Sequence, residues 1–289
     1  MAGQTDQLVK PGSGHGLLDV YGHRFLLKLL VRKEIKVRYR GSVLGLMWSY
    51  VKPLVQFLIY FVALGIFLNL QRGTPNYAIY LFSGIVLVNF FTESLSNATR
   101  SIVDNRDLIR KIYLPRELFP VATVWVSAAH FLPQLLVLVG ACLVVGWTPS
   151  VLQLAAVILI FVMVAVLGTG LGLLFGAVNV YFRDSENIVD MIVMVVTWAS
   201  PVLYLWSMVQ KVMGEWFWIY QLNPMTVAVE VFHWAFWEPT LRGGQLVNDA
   251  TPPGMLTLWL PVALLTTLAV LFLGQFTFRR LAVHFAQEL

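Results

Sequence analysis

The chain has 289 residues, of which 58% are hydrophobic and 12% charged, and its mean hydropathy is +0.74. Soluble domains carry about 25% charged residues, so this composition excludes an ordinary soluble protein and predicts an integral membrane protein. The formal net charge of +5 does not indicate nucleic-acid binding, because the basic residues cluster between apolar runs. The single cysteine, Cys142, lies inside such a run, which excludes a disulfide framework.

The N-terminal region divides into a polar tail and an amphipathic segment. Residues 1–16 are polar, and we expect them to be disordered. Segment 17–42 is predicted to form a helix in the membrane interface, since its apolar residues share one stripe and its basic residues occupy other faces. The cluster "KVRYR" places Lys36, Arg38 and Arg40 at the start of the membrane. These cations either anchor the chain on lipid head groups or recognise a phosphate group.

Six apolar runs are long enough to cross a bilayer, which takes about 20 helical residues. The predicted spans are residues 53–70, 77–98, 118–146, 151–181, 187–209 and 255–276. The sequence therefore predicts an all-α integral membrane protein with six transmembrane helices over 53–276. In the fourth span, Gly168, Gly172 and Gly176 form a small-xxx-small pattern, which predicts a tight contact with another helix.

The basic residues orient these spans. Of the 20 Lys and Arg residues, nine precede the first span, five lie between the second and third, one lies between the fourth and fifth, and two follow the sixth. Only Arg72, Lys211 and Arg242 fall on the other side. The positive-inside rule therefore predicts that both termini, including the C-terminal segment 277–289, are cytoplasmic.

Residues 104–114 form a short basic segment between the second and third spans, on the predicted cytoplasmic side. Asp107 lies in the first turn of a predicted helix, where negative charge is favourable, and Pro115 ends this helix. The residues leave two roles open, an anchor on anionic lipid and a docking helix for a soluble partner. The candidate contact residues are Asp107, Leu108, Ile109, Arg110, Ile112 and Tyr113.

The predicted external region 210–254 is too aromatic for a solvated loop. Two apolar stretches, 213–222 and 225–237, are too short to span a membrane, and Asn223 with Pro224 between them favours a helix start. We therefore predict two short re-entrant helices over 213–237, between the fifth and sixth spans. The aromatic rings either form a belt at the outer interface or contact the apolar faces of sugar rings. The aromatic candidates are Trp198, Tyr204, Trp206, Trp216, Trp218, Tyr220, Trp234 and Trp237, and the polar candidates are Glu230 and His233.

The sequence lacks the phosphate-binding loop of ATPases and any metal-ligand spacing, so no catalytic residue, cofactor or metal site is predicted on this chain. Inside the spans, Glu93 and Asp190 lie near cytoplasmic ends and His130 is the main internal ionisable residue. Transporters driven by protons or sodium usually need such groups near mid-membrane. The energy for transport is therefore expected to come from another subunit.

Four sequence blocks carry a resemblance to a known family. They are "RKEIKVRYRGSVLGLMWSYVKPL" (32–54), "IRKIYLPRELFPV" (109–121), "YFRDSENIVDMIVMVVTWASPVLY" (181–204) and "LNPMTVAVEVFHWAFW" (222–237). Their order and their places relative to the six spans resemble those of ABC-2-type permeases that export lipid-linked polysaccharides of the O-antigen, teichoic acid or galactan type.

This resemblance implies a homodimeric permease that works with two copies of a separate P-loop ATPase, which would carry ATP and Mg. Segment 104–114 would be the coupling helix seated on that ATPase, segment 17–42 the interface helix, and 213–237 the gate helices. The substrate would be a polyprenyl-pyrophosphate-linked polymer, with its pyrophosphate near Lys36, Arg38 or Arg40 and its sugars on the aromatic residues. The implied location is the bacterial cytoplasmic membrane, in contact with membrane lipid and without nucleic acid.

Three other functions stay open on the residues alone. An ABC-2 permease for a drug or small lipid would use the aromatic residues little. A membrane-embedded transferase would need an acid or histidine catalytic group, for which the candidates are weak. A self-sufficient secondary transporter would need ionisable groups near mid-membrane, where this chain has few.

Overall fold

The computed structural model of this chain describes residues 16–111, 114–241 and 250–288. All regular secondary structure in these ranges is helical, which confirms the predicted all-α class. Residues 1–15, for which we predict disorder, lie outside the described part of the chain.

The N-terminal amphipathic segment forms two helices, α1 (Leu17–Gly22) and α2 (Arg24–Arg38), rather than one helix to residue 42. Val20 and Leu30 point inward and are buried in a cluster with Leu118 of the third long helix. The other face keeps Phe25 exposed. One apolar face of the segment therefore packs on the protein, and a second apolar stripe, which includes Phe25, is turned away from it.

The remaining helices follow in chain order. They are α3 (Trp48–Tyr60, continued by the π-helical turn Phe61–Phe67), α4 (Leu70–Gly73), α5 (Tyr77–Asp104), α6 (Arg106–Lys111), α7 (Leu118–Val145), α8 (Val151–Tyr181), α9 (Ser185–Ala199), α10 (Trp206–Met213), α11 (Phe217–Gln221), α12 (Pro224–Phe236), α13 (Leu260–Ala282, preceded by the π-helical turn Met255–Trp259) and α14 (Phe285–Glu288). Within the described ranges, five of these are long and apolar enough to cross a membrane, namely α3, α5, α7, α8 and α13.

The predicted fifth span, 187–209, is interrupted. Helix α9 ends at Ala199, and Ser200 before Pro201 is extended, with φ −103° and ψ 148°. A residue that precedes proline is disfavoured in the α conformation, which explains why α9 ends here and does not continue through residue 209. The count of six spans therefore stays a prediction, and the structure shows a 15-residue helix followed by short helical pieces.

The carbonyl groups left without helical partners by this break receive hydrogen bonds from two tyrosines of α5. The Tyr77 hydroxyl donates to Leu203 O at 2.9 Å, and the Tyr80 hydroxyl lies 2.8 Å from both Pro201 O and Tyr204 O. Backbone groups buried away from water must find partners, so these two tyrosines make the irregular segment tolerable.

Helix α5 is the centre of the fold. It packs against both α7 and α8, and most of its length is buried. A Cβ atom on Gly168 would come within 2.9 Å of Ser94 Cβ, and one on Gly172 would overlap Ala98 Cβ. The small-residue stripe of α8 therefore lets it approach α5 closely, which confirms the predicted tight helix contact.

Within the aromatic region before α13, α12 is packed inside the protein, whereas most of residues 211–222 are exposed. Asn223 Oδ1 accepts a hydrogen bond from Met225 N at 3.0 Å and Pro224 opens α12, so this helix begins as the sequence predicts. Helix α12 then lies buried against α5, α8 and α13. The other predicted gate stretch, 213–222, is a 3₁₀ turn (Gly214–Trp216) followed by the five-residue α11.

Candidate functional site

A polar cavity of about 770 Å³ opens between the end of α2 and the helices α3, α5 and α7. Its volume is within the range of ligand pockets, about 300–1,000 Å³. Its lining is polar although three of the four helices are predominantly apolar, and polar groups within membrane spans mark substrate or ion paths. The lining residues are Arg38, Tyr39, Ser42, Trp48, Ser49, Lys52, Pro53, Gln56, Asn89, Thr92, Glu93, Ser96, Asn97, His130 and Gln134.

A charged network joins α2 to two spans at this cavity. Arg38, at the end of α2, forms an ion pair with Glu93 on α5. The same carboxylate oxygen lies 2.6 Å from His130 Nδ1 on α7 and 3.5 Å from Asn97 Nδ2. Since a carboxylate only accepts hydrogen bonds, His130 donates through Nδ1.

The other ring nitrogen of His130 extends the network. Nε2 lies 2.9 Å from the Tyr39 hydroxyl, which in turn lies 2.9 Å from Ser49 Oγ on α3. With the proton on Nδ1, a neutral His130 accepts from Tyr39 through Nε2. The network therefore links the interface helix with the first three spans through side chains alone.

Two further lining groups have spare hydrogen-bonding capacity. Lys52 on α3 is exposed and has no ion-pair or hydrogen-bond partner among the described residues. Gln134 on α7 is buried and donates to His130 O at 3.2 Å, while its Oε1 atom has no partner in the described part of the chain. Buried acceptors are nearly always satisfied in folded proteins, so this amide oxygen is an open position for a donor.

The three cations predicted to bind phosphate do not line one cavity. Arg38 lines the cavity, whereas Lys36 and Arg40 are exposed side chains outside its lining. Lys52 lines the cavity but was absent from the predicted set. A pattern that points to it is present in the sequence, because Lys52 and Gln56 are four residues apart, as are Asn89, Glu93 and Asn97. Such spacing places polar groups on one face of an apolar helix.

The described residues of the predicted coupling segment are only partly exposed to solvent. Ile109 is buried in a cluster with Leu30 and Leu118, and Leu108 is half-buried, whereas Asp107 and Arg110 are exposed. Ile112 and Tyr113 lie outside the described residues. The charged side chains of α6 are therefore the ones that a partner would meet, and Ile109 belongs to the internal packing.

The junction between α5 and α6 is attached to α2. Asn105 is buried, its Oδ1 accepts from Lys33 Nζ, and its Nδ2 donates to Ser101 O at 2.9 Å and lies 3.4 Å from Glu34 Oε1. Side-chain hydrogen bonds therefore connect the start of α6 with α2, the helix that also carries Arg38 at the cavity.

The predicted aromatic candidates divide into three groups by their burial. Trp206 and Trp237 are buried, and Trp237 Nε1 donates to Pro75 O at 2.7 Å, which is a packing role. Tyr204, Tyr220 and Trp234 are half-buried. Exposed rings, available to lipid or a sugar, are Trp198, Trp216 and Trp218.

The two polar gate candidates are core residues. Glu230 and His233 are fully buried on α12, and the His233 ring stacks on Tyr80 with 3.8 Å between ring centroids. Burial raises the pKa of Glu230 well above its usual value and lowers the pKa of His233 to about 3. Burial therefore favours the neutral form of each side chain, and the described residues contain no ion pair between the two.

Comparison with known proteins identifies the family. The family model described as ABC-2 type transporter matches residues 26–237, well over half of the chain. The chain belongs to the ABC-2 type transporter family. The matched range contains the whole cavity lining, α6 and α12, and it ends before α13.

Individual relatives of this ABC-2 transporter include named export permeases. The O-antigen export system permease protein RfbA of Klebsiella pneumoniae is 30% identical over 217 residues, which cover 75% of this chain and 82% of that protein. The protein of the same name from Myxococcus xanthus is 28% identical over 243 residues, covering 83% and 91%. The polysialic acid transport protein KpsM of Escherichia coli is 22% identical over 246 residues, covering 83% and 92%.

These comparisons confirm the resemblance that the four sequence blocks indicate. Together with the long apolar helices, they show that this ABC-2 transporter is a multi-pass membrane protein.

Proposed function

We propose that this chain is the permease subunit of an ATP-driven exporter for a polyprenyl-pyrophosphate-linked polysaccharide of the O-antigen, teichoic acid or galactan type. The observation that carries the proposal is the similarity over most of the chain to permeases named for O-antigen export. The polar cavity between the first three spans supports it, because the hydrogen-bonding groups that line it suit the hydroxyl and phosphate groups of a glycan substrate.

The proposed assembly is a homodimer in the bacterial cytoplasmic membrane, with both termini cytoplasmic and two copies of a separate P-loop ATPase below it. ATP and Mg bind on that ATPase. The exposed charges of α6 meet the ATPase, and the hydrogen bonds of Asn105 to α2 and α5 pass its movement to the spans. The lipid-linked polymer then crosses between the two copies of this chain.

The test is conditional depletion of the chain in its native cell. We expect surface polysaccharide to fall while polyprenyl-linked glycan accumulates inside, because synthesis continues without export. Both pools are measured by extraction and glycan analysis of intact cells and of isolated membranes, and re-expression of the wild-type chain is the control.

An unchanged distribution of glycan after depletion would contradict the proposal. Loss of a small lipid from the outer leaflet under the same conditions would instead favour the drug or small-lipid permease. Loss of the lipid-linked glycan itself would favour the membrane-embedded transferase.

A further inference from the structure

The polar cavity adjoins a second, apolar groove on the same helix. The groove has a volume of about 380 Å³ and runs along α3 past Val51, Val55 and Ile59, which follow one another at four-residue spacing. It shares Trp48, Lys52 and Gln56 with the polar cavity, and Tyr60 closes its far end. A polar chamber and an apolar groove therefore meet along one ridge of α3.

This arrangement is suited to an amphiphile. The groove side chains Val55 and Ile59 are exposed on α3, a helix with little of its surface buried by the rest of the chain. A hydrocarbon chain can lie there without losing its contact with the bilayer. The head group attached to it would enter the polar cavity at Lys52, the charged residue that both spaces share.

The lining of the polar cavity indicates the chemistry of that head group. Arg38 and Lys52 are the donors that phosphate oxygens prefer. The Asn89 amide donates to Gln56 Oε1 at 3.1 Å, and Gln134 donates to His130 O. Each of the three amides still has donor hydrogens or acceptor lone pairs without a partner among the described residues, as the hydroxyl groups of a sugar require. The unpartnered Gln134 Oε1 accepts one hydroxyl hydrogen, and the indole ring of Trp48 offers a flat apolar face to the sugar.

The charge balance is also suited to an anion that binds and leaves. Glu93 neutralises Arg38 through an ion pair, while Lys52 has no acidic partner among the described residues. An arriving phosphoryl group meets one free cation and competes with Glu93 for the other. Breaking the Arg38–Glu93 ion pair costs free energy, so the anion binds less tightly than it would to two unpaired cations.

We propose that the cavity and groove together bind the sugar–phosphate junction of the substrate, with phosphate at Lys52 and Arg38, the attached sugar among the amides, and the polyprenyl chain along Val51, Val55 and Ile59. This inference rests on the proposed function and specifies where the chain holds the lipid-linked end of the glycan.

The test measures binding to the complete transporter, with its ATPase, in lipid nanodiscs. The probe is a radiolabelled polyprenyl diphosphate that carries one N-acetylglucosamine, and the competitors are N-acetylglucosamine 1-phosphate, polyprenyl phosphate and plain phosphatidylglycerol. Two variants address the two halves of the site, Lys52→Gln for the phosphate and Val55→Trp for the groove. Their matched controls are Lys28→Gln, an exposed lysine on α2, and Leu58→Trp, an exposed residue of α3 outside the groove.

We expect Lys52→Gln to weaken binding of the probe about tenfold or more, since a charge-assisted contact is lost. Val55→Trp should weaken binding of the probe but leave competition by N-acetylglucosamine 1-phosphate unchanged, because only the tail is blocked. Glu93→Gln should tighten binding by releasing Arg38. The two control variants should bind like the wild type.

Equal losses in the variants and their controls would overturn the inference, and so would phosphatidylglycerol that competes as well as the sugar-bearing probe. The cellular assay separates this failure from failure of the proposed function. If depletion of the chain makes glycan accumulate inside the cell, but the Lys52→Gln and Val55→Trp variants bind and export normally, only the proposed binding site is wrong. If depletion leaves glycan distribution unchanged, the exporter proposal itself is wrong.

Discussion

Two glycines allow α8 and α13 to touch backbone to backbone. A Cβ atom on Gly170 would lie 2.7 Å from Leu271 Cα, and one on Gly274 would overlap the carbonyl oxygen of Gly170. Neither neighbour is a flexible side chain that could turn aside. The packing of α13, the last long helix, therefore depends on the absence of a single methyl group at each position.

We expect Gly274→Ala to destabilise the chain by about 1–3 kcal/mol, the usual range for overpacking of a well-packed contact. The thermal midpoint of the purified protein in mild detergent measures this effect. The control is Gly140→Ala on α7, where a new Cβ meets nothing within 4 Å. The control should be neutral or slightly stabilising because alanine favours helix over glycine. If Gly274→Ala had a thermal midpoint as high as that of the control, the result would contradict the close contact between α8 and α13.

Single residues also show how far sequence patterns reach. Lys36, Arg38 and Arg40 look equivalent in the string "KVRYR", yet only Arg38 lines the cavity. Helix α2 ends at Arg38, so the direction of each of these side chains depends on where that helix stops and what it packs on. The residue types in this string therefore do not show which of the three side chains lines the cavity.

At the scale of elements, the break after α9 depends on side chains from another helix. The backbone between Ser200 and Leu205 is not helical, and its carbonyl groups accept hydrogen bonds from the hydroxyls of Tyr77 and Tyr80 on α5. The break and α5 therefore form one structural unit, although about 120 residues of chain separate them.

We expect Tyr80→Phe to cost about 1–3 kcal/mol of stability, because it removes the single hydroxyl hydrogen that the Pro201 and Tyr204 carbonyl oxygens share. Hydrogen exchange of the 200–205 amides, together with the thermal midpoint, should show faster local opening. Tyr50→Phe is the control, since the Tyr50 hydroxyl makes no hydrogen bond to the described residues and is exposed. Similar exchange rates in the two variants would show that the break does not need the Tyr80 hydroxyl.

At the scale of the whole molecule, the two roles of the α6 segment can be separated by charge. Asp107 and Arg110 are both exposed on α6. Exchanging them, as Asp107→Lys with Arg110→Glu, preserves the net charge and so preserves the attraction to anionic lipid. It reverses the local pattern that a protein partner would recognise.

We expect this exchange to abolish co-purification of the P-loop ATPase while membrane insertion stays normal. The measurement is a pull-down from native membranes in mild detergent, with quantitative mass spectrometry. The matched control exchanges Lys211 and Glu215, two exposed residues of opposite charge on the predicted external side. Full recovery of the ATPase with the exchanged α6 would favour the lipid-anchor role instead.

The sequence by itself determined the class of this protein and the places of most of its long helices. Hydropathy is a property of consecutive residues, so five predicted spans coincide with α3, α5, α7, α8 and α13 to within a few residues at most ends. The glycine stripe of α8 and the start of α12 at Pro224 are likewise local signals. The four blocks were enough to indicate the ABC-2 family, which the matched range 26–237 confirms.

The tertiary structure alone decided which polar residues meet. Arg38, Glu93 and His130 come from three helices, and their contact depends on how α2 lies against α5 and α7. Ile109 looks like part of an exposed docking face in the sequence, yet the packing of α6 buries it. The cavity and the groove likewise exist only between or beside packed helices, because a volume is defined by several elements at once and no single stretch of sequence contains it.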